Sequence, residues 1–243
     1  MTMFIVTGAS RGIGAAIAKN LGATGAAIAV NFSHDDAGAR EVVADIIQRG
    51  GKARSFQADV GNKAAVERLF ADAERELGPL SGLVNCAGIL GASGRTEDCM
   101  TEDLERLFAI NVMGVMYCCG AAVKRLSTRY HGPGGAIVNI SSAAARLGGM
   151  VGRVAYAASK GAVESFTKGF ANEVAGEGIR VNAVAPGYVA TDMIGPEMRA
   201  RLAPNVPLGR VGAPEEIAGA VAWLMSDAAS YVTGTVVTVA GGR

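Results

Sequence analysis

The amino-acid sequence predicts an α/β protein: one doubly wound domain over residues 1–243, with a seven-stranded parallel sheet flanked by helices on both faces. Three observations lead there. Short β-branched or apolar runs alternate with helix-length segments along the whole chain, the signature of repeated strand-helix-strand units. A glycine-rich turn, Thr7-Gly8-Ala9-Ser10-Arg11-Gly12-Ile13-Gly14, separates the first strand from the first helix. Half of the 243 residues are apolar and 19% are charged, so one unit can bury a large core.

Taken in order, the first strand is Met3–Val6, and the helix after the glycine turn runs to about Leu21. A second strand, Ala27–Phe32, leads to a helix over 38–48 and a third strand over 53–58. The helix Lys63–Leu77 stops at Gly78-Pro79, a helix-ending pair, before a strand over 82–85. Thr101 and Asp103 open one long helix to about Ser127, and the turn His131-Gly-Pro-Gly-Gly135 precedes a strand over 136–140. A helix from about Tyr156 follows, then a strand over 179–184 that breaks at Pro186-Gly187. Residues 188–213, rich in Pro, Gly and Arg, read as a mobile flap. Pro214-Glu215-Glu216 starts the last helix with Pro in its first turn and acids at its positive end, and 235–239 closes as a strand.

Composition removes several function classes. A net charge of +1 without a dense basic run argues against nucleic acid as a partner. Cys86, Cys99, Cys118 and Cys119 lack metal-ligand spacing, and His34 and His131 are far apart, so no metal site is expected. The cysteines suit a reducing compartment, and the N-terminal residues show no targeting pattern, so a cytoplasmic location is expected. The most apolar stretch, 109–123, is short for a membrane span and carries Asn111 and Gly114; it reads as a buried helix, and no membrane partner is expected. Small molecules are the expected partners.

Two local patterns carry chemistry. Glycines let the backbone of the first turn approach a pyrophosphate, and the next helix offers free N–H groups at its positive end; a plain loop is the alternative. Tyr156 and Lys160 stand four residues apart, hence on one helix face. An ammonium there draws a phenol down from its usual pKa of ~10 toward working pH. The alternative is an ordinary surface pair.

The N-terminal T-G-x-x-x-G-x-G, Asn85-Cys86-Ala87-Gly88 after the fourth strand, a Ser followed by Y-x-x-x-K, and Pro186-Gly187 after the sixth strand together resemble the short-chain dehydrogenase/reductase family, over essentially the whole chain. The resemblance implies a Rossmann-type fold and an NAD(P)-dependent oxidoreductase interconverting a carbonyl and a secondary alcohol. It implies that Ser142, Tyr156, Lys160 and Asn111 are catalytic. Ser142 donates to the substrate carbonyl, Tyr156 is the general acid/base, Lys160 tunes Tyr156 and binds the nicotinamide ribose, and Asn111 bends its helix and holds a water that relays protons to Lys160. Ser141 is the adjacent rival of Ser142. For the cofactor it implies Gly8, Ser10, Arg11, Gly12, Ile13 and Gly14 at the phosphates, with Tyr156 and Lys160 also among the residues that contact it. Asn31, Phe32 and Ser33 end the second strand, Asp59 and Val60 hold the adenine, and Asn85, Ala87 and Gly88 line the adenosine ribose. Pro186, Gly187, Val189 and Thr191 hold the nicotinamide side, and Asp59 has the alternative of capping the next helix. An acid at the end of strand two would select NAD; here no carboxylate comes before Asp35, and Arg11 can pair with a 2′-phosphate. NADP(H) is therefore expected over NAD(H), with NAD(H) also admitted.

The chain looks similar to 3-oxoacyl-carrier-protein reductases and to glucose-type sugar dehydrogenases of that family. A sugar dehydrogenase and a non-catalytic NADP(H)-binding protein are the alternative functions. Two departures from the family pattern stand out. Fourteen positions separate Ser142 from Tyr156, one more than in the commonest relatives, and Ala240-Gly241-Gly242 replaces D-G-G. Met193, Ile194 and Met198 in the flap are expected to cover the substrate. Small residues on the Tyr156 helix and the apolar helix around Asn111 predict a homotetramer. Lys124, Arg125 and Arg129 are either an acidic-carrier dock or a solvated helix end.

Overall fold

The computed structural model describes residues 2–192 and 194–243. Met193, expected at the substrate, lies outside the described residues. The elements run β1 Met3–Val6, α1 Gly12–Gly22, β2 Ala27–Phe32, α2 Asp36–Gln48, β3 Lys52–Gln57, α3 Lys63–Leu77, β4 Leu80–Asn85, α4 Thr101–Phe108 and α5 Gly114–Leu126, and continue with β5 Gly135–Ile140, α6 Ala144–Leu147, α7 Val154–Val174, β6 Ile179–Pro186, α8 Pro196–Leu202, α9 Pro214–Met225 and β7 Val236–Val239. The seven strands are all parallel, in the order β3-β2-β1-β4-β5-β6-β7.

Alternation along each strand builds the two cores. In β1, Met3 and Ile5 face α3, α5 and α7, where Phe70, Val115, Cys118 and Val163 pack. Phe4 and Val6 face the other layer, with Ile17 of α1, Val42 of α2 and Val221 of α9. Strands apolar on both faces are what a sheet covered on both sides requires. β1 has both β2 and β4 as neighbours, so the winding reverses there and a crevice opens at the strands' carboxyl ends.

The structure departs from the sequence reading in three places. The expected single helix over 101–127 is α4, a π turn at Ala109–Met113 and α5; the wider turn is centred on Asn111, where the resemblance implied a bend. Its 26 residues are long and apolar enough to cross a membrane by length and composition, so the run is longer than the 109–123 stretch suggested. More than half of its apolar window is buried, with Cys118, Cys119, Ala122 and Leu126 in the core. The segment after β6, expected as a mobile flap with no helix assigned to it, contains α8, started by Pro196 at its first turn.

Candidate active site

The glycine turn is built for close approach. Gly8 and Gly12 have φ of +61° and +57°, where side chains are disfavoured. A Cβ on Gly8 would stand 2.6 Å from the Cα of Ala87, and one on Gly14 would run into the carbonyl oxygen of Gly8. Thr7, buried at the end of β1, accepts from the backbone N–H groups of Cys86 and Ala87 at 3.0 and 3.1 Å, tying the turn to the end of β4. Beyond it, α1 begins at an extended Arg11 with no side-chain cap and no acid in its first turn. Its N–H groups and positive dipole end are left for an anion. The turn thus fits the pyrophosphate of a dinucleotide. A cavity of about 280 Å³ lined by Gly12, Ala15, Thr191, Asp192 and Pro214 continues from it.

Asn31 is fully buried at the end of β2. Its Oδ1 accepts from Gly8 N–H at 3.3 Å, and its Nδ2 donates to the carbonyls of Phe32, Phe56 and Ala58 at 3.3, 3.2 and 3.1 Å. That amide braces the glycine turn against β3. Phe32 is buried, while Ser33 is half-buried and Arg11 exposed at the rim. Asp35, the first carboxylate after β2, accepts from Gly38 N–H at 3.0 Å and caps α2.

After β3, Asp59 accepts from Gly61 N–H at 2.9 Å and pairs with Arg106 of α4 at 2.8 Å. The cap of α3 is Asn62, which accepts from Ala65 N–H, so the helix-cap alternative for Asp59 does not hold. Val60 is buried beside the backbone of Gly114. Asn85 donates to Asn139 at 2.9 Å, and Asn139 donates to Thr167, a buried polar chain from β4 through β5 to α7. Gly187 N–H donates to Val239 at 3.0 Å; Val189 is a core residue, and Thr191 lies against Gly12.

The four residues expected to be catalytic lie near the end of β5. Ser142 Oγ accepts from Ala144 N–H at 3.2 Å, which leaves its hydrogen to donate. Ser141, its rival, is turned into α7, where its hydroxyl donates to Glu164 at 3.0 Å. Lys160 Nζ, buried, donates to the Ile140 carbonyl at 2.8 Å. Asn111, at the centre of the π turn, accepts from Ile89 N–H and donates to Ile89 carbonyl, both at 2.9 Å, and donates to Ser159 Oγ at 3.0 Å. Both amide hydrogens are spent. Gly88 separates Asn111 from Lys160: a Cβ there would stand 3.3 Å from Asn111 Oδ1 and 3.5 Å from Lys160 Nζ.

Electrostatics revises one expectation. Burial pushes the Tyr156 phenol above its ordinary value, with a hydrogen bond from Ser142 pulling the other way. Lys160 does not draw the phenol down in this chain alone. Its ammonium is committed to Ile140 and stands 6.0 Å from the Tyr156 ring centroid, so desolvation wins. Burial also lowers Lys160 from 10.5 to about 8. Between those values the unfolded chain keeps a proton that the folded chain releases, so stability rises with pH across the window and the gain is lost as pH falls to about 8. Lys160→Met removes this titration. In urea unfolding between about pH 8 and 10, the stability of wild type relative to the variant is expected to climb by up to ~1.4 kcal/mol per pH unit.

Burial drives the Cys86 thiol up to about 12, in line with a packing role. Lys124 and Arg125 pair with Glu67 and Glu74 at 3.5 and 2.6 Å. Two residues were not singled out in the sequence. Ser159 accepts from Asn111 and donates to the Tyr156 carbonyl at 2.7 Å; its place one residue before Lys160 is the only signal. Arg153 holds the carbonyls of Gly91 and Leu90 at 2.6 and 3.4 Å, and Gly94 N–H donates to Gly152 at 3.2 Å. The glycine-rich loop with the extra residue is thereby pinned to the loop after β4.

A glycine turn at the switch point of a doubly wound sheet, with Ser, Tyr, Lys and Asn converging two strands away, defines a nicotinamide-dinucleotide oxidoreductase. The chain belongs to the short-chain dehydrogenase/reductase family. A family model described as Enoyl-(Acyl carrier protein) reductase matches residues 8–243. The uncharacterized oxidoreductase YgfF of Escherichia coli K12 is 44% identical, covering 100% of both chains. A 3-oxoacyl-[acyl-carrier-protein] reductase of Synechocystis is 40% identical over 98% of this chain and 95% of its own length. Among solved structures, a blue fluorescent protein from a metagenomic library in complex with NADPH superposes with a TM-score of 0.90 at 37% identity, covering 99% of this chain and 97% of that one.

Proposed function

We propose that this oxidoreductase interconverts a carbonyl and a secondary alcohol with NADP(H), Tyr156 acting as general acid/base. The observation that carries the reading is Ser142: its oxygen accepts from Ala144 N–H, and its hydrogen, which points to the half-buried Tyr156 phenol, is placed to be handed to a carbonyl oxygen seated between the two. When bound, the nicotinamide gives or takes the hydride. In reduction, neutral Tyr156 protonates the forming alkoxide while Ser142 donates to the same oxygen. Lys160, held by Ile140, binds the ribose and supplies positive charge near the phenol when the proton has left. Asn111 Oδ1 and Lys160 Nζ face the same small space beside Gly88, which suits a relay water between them.

Cofactor choice follows from charge. Asp35 is spent as a cap, Asn31 is uncharged and buried, and Arg11 is exposed at the mouth of the turn, so a 2′-phosphate meets a cation and no carboxylate. The apolar side chains left exposed on the loop after β5 and on the segment after β6, Leu147, Met150, Val151, Met198 and Leu208, favour a substrate with an apolar body over a sugar. The segment 188–213 acts as a flap over that substrate, and the whole chain as one dinucleotide-binding unit. Exposed Phe108, Met113 and Met116 and the open faces at Gly120, Gly161 and Gly169 support helix packing between copies in a cytoplasmic homotetramer; a monomeric mass in solution refutes that assembly.

The test is a screen of the purified protein with NADPH and NADH against β-ketoacyl thioesters, diketones, quinones and sugars, following nicotinamide absorbance. An apolar ketone is expected to be reduced, with kcat/KM for NADPH at least roughly tenfold above NADH. Equal or better use of NADH overturns the cofactor assignment.

A further inference from the structure

Two buried polar side chains at the end of β5 take no part in the reaction proposed above: Ser141, 3% exposed, and Glu164, 8% exposed. Removing a carboxylate from water to this extent costs several kcal/mol unless its partners recover it. Glu164 lies one turn beyond Lys160 on α7, so the two side chains share the helix face turned to β5. Ser141 Oγ donates to Glu164 Oε1 at 3.0 Å, with the Lys160 carbonyl 3.3 Å away as a second acceptor. On one side of Ser141 is Ile140, whose carbonyl receives Lys160 Nζ at 2.8 Å; on the other is Ser142. Two consecutive residues at the end of β5, Ile140 and Ser141, are thus tied to α7 immediately before Ser142, and Glu164 supplies the contact next to it.

We propose that Glu164 is a positioning residue: through Ser141 it fixes the end of β5 against α7, and so sets both the Ser142 to Tyr156 contact and the seat of Lys160 on Ile140. The backbone here is also held by β6, with Ser141 N–H donating to the Val184 carbonyl at 2.7 Å and Ala143 N–H to the Pro186 carbonyl at 2.8 Å, so loss of the acceptor at position 164 allows residues 140–142 only a small shift; sub-ångström displacements of groups that handle a proton are nonetheless costly to rate. The inference rests on Tyr156 being the general acid/base.

The test compares Glu164→Ala, Glu164→Gln, Ser141→Ala and the Glu164→Ala/Ser141→Ala double variant in the full chain. Glu164→Ala is expected to lose roughly tenfold in kcat while its Kd for NADPH, which Lys160 shares with the glycine turn, rises by no more than about threefold. Glu164→Gln restores turnover, because its amide oxygen still accepts from Ser141. Ser141→Ala matches Glu164→Ala, and the double variant is no worse than either. In protein carrying ¹³C at the tyrosine ζ carbon, the Tyr156 resonance, assigned against Tyr156→Phe, is expected to titrate higher in Glu164→Ala and Ser141→Ala and to return in Glu164→Gln, since the pull from Ser142 is lost and regained. The resonance decides the matter even if no carbonyl compound is turned over, an outcome that would fell the proposed reaction alone. Should Glu164→Ala fail to fold, Ser141→Ala carries the test. Wild-type kcat and Tyr156 titration in Ser141→Ala, additive losses in the double variant, or a folded Glu164→Gln that restores nothing would each overturn the proposal.

Discussion

Tyr156→Phe is expected to lower kcat by about 10³-fold while leaving the Kd for NADPH within about twofold of wild type. The substitution keeps the ring that packs at the start of α7 and deletes only the hydroxyl beside Ser142. In the proposed reading cofactor binding draws on the glycine turn, Arg11 and the end of β4, none of which touches that hydroxyl in the contacts described. Steady-state turnover on the best ketone from the screen, paired with NADPH fluorescence titration, separates the two effects. A non-catalytic NADP(H)-binding protein would show no change in function. Loss of NADPH binding together with turnover would instead mean that the phenol belongs to the cofactor site.

Gly14→Ala is expected to weaken NADPH binding by at least ~100-fold, about 2.7 kcal/mol, and to lower the melting temperature. Position 14 sits in the first turn of α1, where alanine is the better helix former by about 1 kcal/mol. Local propensity alone therefore predicts a gain. Close approach reverses the sign, because the new methyl would run into the Gly8 carbonyl oxygen and stand 2.9 Å from its carbon and 3.0 Å from the Ala9 Cα. Either the turn opens or the helix recedes, and both spoil the anion cradle. Fluorescence titration with NADPH and a thermal melt check the two halves; an unchanged Kd would show that the turn can give way without cost.

These two residues also mark the limits of a linear reading. Gly14 and the Tyr156 and Lys160 pair are legible because their signal is local: a glycine turn between strand and helix, and a four-residue spacing on one helix. Asn31 was legible only as a member of the strand end. Its work is done on partners 23 to 27 residues away, Gly8, Phe56 and Ala58, which the sheet register brings together. Asp59 read as a contact to adenine or a helix cap, and its pairing with Arg106 depends on how α4 lies against the end of β3. The same holds for Ser141 and Ser142: two adjacent serines are equivalent as letters, and alternation at a strand's end sends one into α7 and leaves the other beside Tyr156.

Patterning along the chain was sufficient for the seven strands, most of the helices and the two-sided sheet, and it marked the glycine turn and the Tyr156 and Lys160 pair as candidates, because each is encoded by a period or spacing within a few residues; Ser142 was picked out by the family resemblance. Tertiary packing decided the π turn around Asn111, the pinning of the loop before Tyr156 by Arg153, the direction in which Lys160 points and the upward shift of the phenol. Each of those depends on which groups from distant strands and helices meet in low dielectric, and burial, unlike periodicity, is a property of the assembled layers.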